Sequence, residues 1–264
     1  MTTPARELRL CADDFGLALP VSRGILRLAA RGRLSDVSCI VNAPDWPGRA
    51  HELAATPVRM GLHLNLTEGR PLSAALAAVW PQLPSLPRLI VLAHLRRLPL
   101  AALRNELDAQ LAAFVAGCGR APAHLDGHQH VHHLPGLRDL LPMRPGLPIR
   151  HTGRVLGPGF ALKRALIAAT GGRALGRRLE ARGNARNTQL LGVYDFVQTD
   201  YRGLFRRWLA ALPRRGGLIF CHPGEAGAAG SGDAIAEARA RELAYFESAD
   251  FDADLAAAGV RLAV

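Results

Sequence analysis

The stretch "ELRLCADDFGLALPVSRGILRLAAR", residues 7 to 31, reads as a strand, a polar turn and a helix in succession. "ELRLCA" (7 to 12) has the apolar character of a buried strand. Pro20 suits the first turn of a helix reaching about Arg31, with Val21, Ile25 and Leu28 on one side. Between them stand Asp13 and Asp14, directly after the apolar run and just before Gly16. Adjacent like charges repel and are costly where solvent is limited, and a helix cap needs only one carboxylate. The doublet therefore marks a place where two acids have separate work.

The same alternation continues outward. "DVSCIV" (36 to 41) and "VRMGLHLNL" (58 to 66) read as strands, and residues 101 to 117 as a helix with Leu103, Leu107, Leu111 and Phe114 at helical spacing. "AHLDGHQHV" (123 to 131), "LPIRH" (147 to 151), "GGLIFCH" (216 to 222) and a closing "GVRLAV" follow as strands. Helices are expected near 203 to 211 and 233 to 248. Strands alternating with helices imply a parallel sheet, whose chemistry collects at the C-terminal strand ends. The expectation is a single α/β domain over residues 1 to 264.

Composition narrows the class. The four cysteines, Cys11, Cys39, Cys118 and Cys221, are far apart, which argues against a disulfide framework or a thiolate zinc site. The most apolar region, residues 71 to 103, is broken by prolines and arginines, so no membrane span is expected. The first residues lack a basic start followed by an apolar core, and a cytoplasmic protein is the expectation. The formal charge of +11 would ordinarily suggest nucleic acid. Every basic residue but Lys163 is Arg, however, in a chain rich in Ala, Leu, Gly and Pro, and no nucleic-acid partner is expected.

Four polar groups fall at or just past strands: Asp13 with Asp14, His63, the segment from Asp126 to His132, and His222. On an extended strand Asp126, His128, His130 and His132 share one face, an unfavourable crowding unless a metal or a proton relay uses them. Side chains two apart are roughly 7 Å apart along a strand, so a single ion would take one histidine from here and its other ligands elsewhere. One carboxylate and two imidazoles from three strands make a facial triad with open positions, as hydrolytic metal sites require. With one acid of the doublet as ligand, the other remains free as a general base. By ligand softness such a set suits zinc or cobalt.

The motifs "ADDFGL", "GLHLNLTEGRPLS", "AHLDGHQHVH" and "FCHPGE", in this order, resemble those of the YdjC-like carbohydrate deacetylases, a group that includes chitooligosaccharide and hopanoid-associated deacetylases. The resemblance implies a distorted, incomplete TIM-like (β/α) barrel that removes the acetyl group from an N-acetylated amino sugar, free or lipid-linked, with one divalent metal, magnesium by resemblance. It implies Asp14, His63 and His128 as metal ligands, Asp13 as general base and His222 near the leaving amine. It also implies Arg150 facing the substrate, and Asp126 and His130 orienting a ligand histidine. Residues 71 to 100 match least and are expected to form a lid or insertion over the site. Peripheral contact with a lipid-linked substrate and a homodimer are further implications. Two other readings stand beside this one: a metal-dependent ester or phosphoester hydrolase, and a non-catalytic sugar-binding barrel.

Overall fold

A computed structural model describes residues 5–226 and 232–263. In chain order the elements are β1 (Arg6–Phe15), α1 (Leu19–Ala30), β2 (Asp36–Cys39), α2 (Trp46–Ala54), β3 (Arg59–Leu64), α3 (Ala74–Val79), α4 (Leu86–His94) and α5 (Leu100–Cys118). Then come β4 (Leu125–Gly127), α6 (Leu137–Leu140), α7 (Ala161–Ile167), α8 (Arg173–Ala181), β5 (Leu190–Leu191), α9 (Tyr201–Ala211), β6 (Gly217–Cys221), α10 (Ala236–Glu247), α11 (Ala249–Ala257) and β7 (Val260–Leu262). The strands form one parallel sheet in the order β4-β3-β2-β1-β6-β5, with β7 against the start of β1. Between β4 and β5 only single bridges, Leu125 to Ile149 and Val155 to Leu190, carry the chain across. The result is an α/β barrel that is incompletely closed on that side.

Side-chain alternation along β1 sorts the interior. Leu8, Leu10 and Ala12 join the main core under the helices, whereas Cys11 packs inside the sheet with Leu190, Val193, Leu218 and Phe220. Between β1 and β2 the inner face is polar. Arg9 meets Asp36, Cys11 meets Ser38, and Asp13 follows above them. Gly61 has no side chain on this face, and the ring of His124 occupies the space: a Cβ there would stand 2.2 Å from His124 Nε2. On the outer side, an aromatic cluster that includes the edge-on pair Phe205–Phe246 at 5.4 Å locks α9, α10 and α11 together. That cluster fixes α10, which reaches the site below.

Two expected strands take other forms. The strand over 123 to 131 stops at Gly127, and His128–His133 forms a tight 3₁₀ turn in which Gln129 and His130 have φ of 52° and 62°. Its histidines therefore do not share a face. "LPIRH" contributes only the Ile149 bridge, since Pro148 cannot donate to a ladder. Residues 71 to 100 carry α3 and α4, and among the described residues no helix is long and apolar enough to cross a membrane.

Candidate active site

The end of β1 shows how adjacent carboxylates reach one cavity. Regular alternation would send Asp13 and Asp14 to opposite faces. The β1–β2 register slips between Ala12 and Phe15, and Asp14 has a φ of 74°, an uncommon conformation for a residue with a side chain. Both side chains then line the same cavity, about 650 Å³ in volume. Gly16 completes the turn at φ 92°, where a Cβ would lie 2.6 Å from the Ile40 carbonyl oxygen.

Asp14 Oδ1 lies 2.8 Å from His128 Nδ1 and 3.5 Å from His63 Nε2, and its Oδ2 accepts from Arg239 Nη2 at 2.9 Å. One donor atom from each of Asp14, His63 and His128 lies within 4.8 Å of the other two, and all three residues are buried. His63 donates from Nδ1 to Asp126 Oδ1 at 2.6 Å, which aims its Nε2 toward Asp14. Asp126 Oδ2 is itself held by the Ser38 hydroxyl at 2.7 Å and by Arg150 at 2.6 Å. His128 Nε2 meets Glu68 Oε1 at 3.0 Å.

The local field favours added positive charge. Burial pushes His63 down, but the Asp126 and Asp13 charges, with hydrogen bonds to Asp126 and Asp14, carry it up to about 10. Burial likewise lowers His128, and Asp14 and Glu68 raise it to about 9. Burial works to raise Asp14, yet His128 and Arg239 hold its carboxyl well below the usual range. A buried carboxylate with two imidazoles in acidic surroundings is a donor set that fits a divalent cation. Two neighbouring clusters, Cys11–His124–Asp126 and Asp13–His63–Asp126, are poor candidates. Arg150 Nη2 already stands 3.1 Å from Cys11 Sγ, 2.7 Å from Asp13 and 2.6 Å from Asp126, and a second cation would be repelled.

Arg150 does not face the cavity. It is 3 % exposed, and its Nη atoms are spent on Asp13, Asp126, Cys11 and Ser38, so the expected direct contact with substrate is replaced by a clamp behind Asp13. His130 lines the cavity edge-on to Phe220 and makes no hydrogen bond to His63 or His128; the 3₁₀ turn directs it away from them. Asp126 lies on the Nδ1 side of His63, the nitrogen away from Asp14. His222, at the end of β6, lines the cavity between Phe196 and Phe220, and burial lowers it to about 4.

Three contributors escaped the sequence reading. Arg239 and Glu242, three apart on α10, are buried polar side chains that hold Asp14 Oδ2 and the His222 backbone N–H. The available signal was their place among Ala238, Leu243 and Phe246 on the buried stripe of α10. The third, Glu68, sits on the loop after β3 and is anchored through Asn65, which accepts from its backbone N–H at 3.1 Å.

Fold and donor set together define an α/β barrel protein with a candidate cation site at the C-terminal ends of its strands. The family described as YdjC-like protein matches residues 7–257, and the chain belongs to that family. A human carbohydrate deacetylase is 36% identical over 143 residues, covering 52% of this chain and 44% of that protein, so the match spans less than half of the relative. A Klebsiella pneumoniae chitooligosaccharide deacetylase is 29% identical over 270 residues, covering 97% of each. A crystal structure of an Enterococcus faecalis V583 protein associated with cellobiose-phosphate cleavage superposes with a TM-score of 0.70 at 20% identity, over 98% of this chain and 97% of that one, which shows the shared fold.

Proposed function

We propose that this protein is a metal-dependent hydrolase that removes the N-acetyl group from an N-acetylated amino sugar. The observation that carries the reading is the convergence of Asp14, His63 and His128 beside an arginine-clamped second carboxylate, Asp13, in one cavity. The deacetylase names of the human and Klebsiella relatives support it.

Asp14, His63 and His128 would hold the cation, which when bound supplies Lewis acidity toward a water and toward the acyl oxygen. The residues of the chain perform the proton movements. Asp13, held in place by its two contacts to Arg150, is the base that takes the proton from the attacking water. The amine must gain a proton as the C–N bond breaks, and we assign that delivery to His222 at the end of β6. Because burial keeps His222 neutral, it serves as a relay rather than as a stored acid. Asp126 fixes the tautomer and aim of His63. Phe196 and Phe220 offer ring faces for a sugar, and Leu86 and Ile90 of α4 make residues 71 to 100 a wall over the site in the manner of a lid.

Magnesium, zinc and cobalt remain the metals to compare, and an amino-sugar oligomer and a lipid-linked amino sugar the substrates. A cytoplasmic setting is part of the proposal, supported by four unpaired cysteines. The deciding experiment measures acetate release by metal-stripped protein given Mg, Zn, Co or Mn, against N-acetylglucosamine, its β-1,4 oligomers and a lipid-linked form, with Asp13→Asn as control. Metal-dependent release abolished by the substitution sustains the reading. No release from a protein with metal bound overturns it in favour of another bond or of sugar binding alone.

A further inference from the structure

A second cavity of about 250 Å³ opens at the other end of the barrel interior. Arg9, Asp36 and Arg59 line it, each lying on the inner face toward the N-terminal end of its strand from Cys11, Ser38 and Gly61. Two buried polar atoms on its lining residues have no hydrogen-bond partner: Arg150 Nε, and His124 Nδ1, which stands 3.8 Å from Asp36 Oδ1. Arg150 is 3 % exposed and His124 8 %. Orphaned polar atoms at this depth ordinarily have a bound partner, water or ligand.

The hydrogen bonds around Ser38 specify what each orphan offers. The Ser38 hydroxyl must donate to the carboxylate of Asp126 at 2.7 Å, so at 3.0 Å it accepts from His124 Nε2–H. Burial keeps His124 neutral, so its Nδ1 carries a lone pair. Arg150 Nε offers the opposite, an N–H. Arg9 and Arg59 also line the cavity and share one acid, Asp36, at 3.2 and 3.8 Å, and Arg186 adds a third cation, with no other acid among the described lining residues. The site thus wants negative charge, an acceptor for Arg150 and a donor for His124.

We propose that this cavity binds a small oxyanion of the hydrogenphosphate class, with a charged oxygen on Arg150 Nε and its hydroxyl on His124 Nδ1. The same Arg150 grips Asp13 and Asp126 through its Nη atoms, so the bound anion is one side chain away from the candidate active site. The inference stands apart from the deacetylase reading, because the test measures binding.

Titration calorimetry of the full chain with inorganic phosphate, sulfate and acetate tests it, with Arg186→Gln and Arg59→Gln at the mouth of this cavity and His128→Ala in the other one. Phosphate is expected to bind saturably, and about tenfold more tightly than sulfate, which has no hydroxyl to donate. Each arginine variant should weaken phosphate by about tenfold, the size of one lost charge-assisted contact, and His128→Ala should leave it unchanged. Circular dichroism checks that the variants fold, and Arg186→Gln, a half-buried side chain, carries the test if Arg59→Gln does not. Absence of saturable binding would mean that water alone satisfies the two atoms, and overturns the proposal. So would loss of binding in His128→Ala with retention in the arginine variants, or equal binding of sulfate and phosphate.

Discussion

Arg150 holds Asp13 through both terminal nitrogens, at 2.6 and 2.7 Å, with both side chains almost wholly buried. That clamp fixes the Asp13 carboxylate at the cavity wall, and a fixed position there is the condition for it to act as a base. Arg150→Met leaves Asp13 and Asp126 without their cation, and removal of one partner of a buried pair costs about 3–5 kcal/mol. Arg150→Lys keeps the charge but loses the two-pronged geometry. Thermal unfolding should therefore show a large drop for Arg150→Met and a smaller one for Arg150→Lys, with acetate release reduced in both. A methionine variant as stable as the parent would refute the clamp.

The adjacent carboxylates should separate cleanly. Asp13→Asn is expected to retain metal stoichiometry and to lose about 10²- to 10⁴-fold in turnover, the usual contribution of a general base. Asp14→Asn should lose the metal itself, because Asp14 is the only carboxylate of the Asp14–His63–His128 set. Metal content by atomic emission, taken beside turnover for each variant, distinguishes the two roles. Equal metal loss in both would remove the distinction.

The imidazoles set a pH dependence for the metal-free protein. His63 is carried up to about 10 and His128 to about 9, above their ordinary value of 6.5. Groups raised on folding stabilise fully below their unfolded pKa and lose that contribution as pH rises through the folded one. The melting temperature of the metal-free chain should therefore decline between about pH 6.5 and pH 10. A divalent cation competes with those protons, so its stabilising effect should grow over the same interval. Melting curves with and without metal across that range test this, and a metal effect independent of pH would contradict it.

How much of this was legible depended on whether a residue acts through its own element or through one distant in sequence. The order of strands and helices follows from apolar periodicity, and the Asp13–Asp14 doublet declared itself by its cost. The bend after Gly127 did not, because positive φ at Gln129 and His130 is imposed by the surrounding structure on residues with no strong preference for it. For Arg150 the sequence singled out the residue but not the direction of its side chain. Which way its side chain points depends on Asp13 and Asp126, more than twenty residues away, and on the partial closure between β4 and β5.

Arg239 carries this distinction to a test. Its guanidinium binds Asp14 Oδ2 at 2.9 Å and Asp233 at 2.7 Å, and so links α10 to the candidate metal ligand. Occupying Oδ2 leaves Oδ1, the oxygen facing both imidazoles, as the one available to a cation. Arg239→Met removes that restraint and exposes Asp14 to the desolvation that favours its protonated form. Metal affinity should fall by about tenfold to a hundredfold, the usual consequence of deleting an outer partner of a ligand. Calorimetric metal titration at several pH values provides a readout that general destabilisation would not reproduce. Losing the ion-pair partner raises the Asp14 pKa, so the affinity deficit should be greatest at acid pH, where a proton competes for the carboxylate, and should shrink as pH rises. A deficit that stays constant with pH would show that Arg239 merely supports the packing of α10.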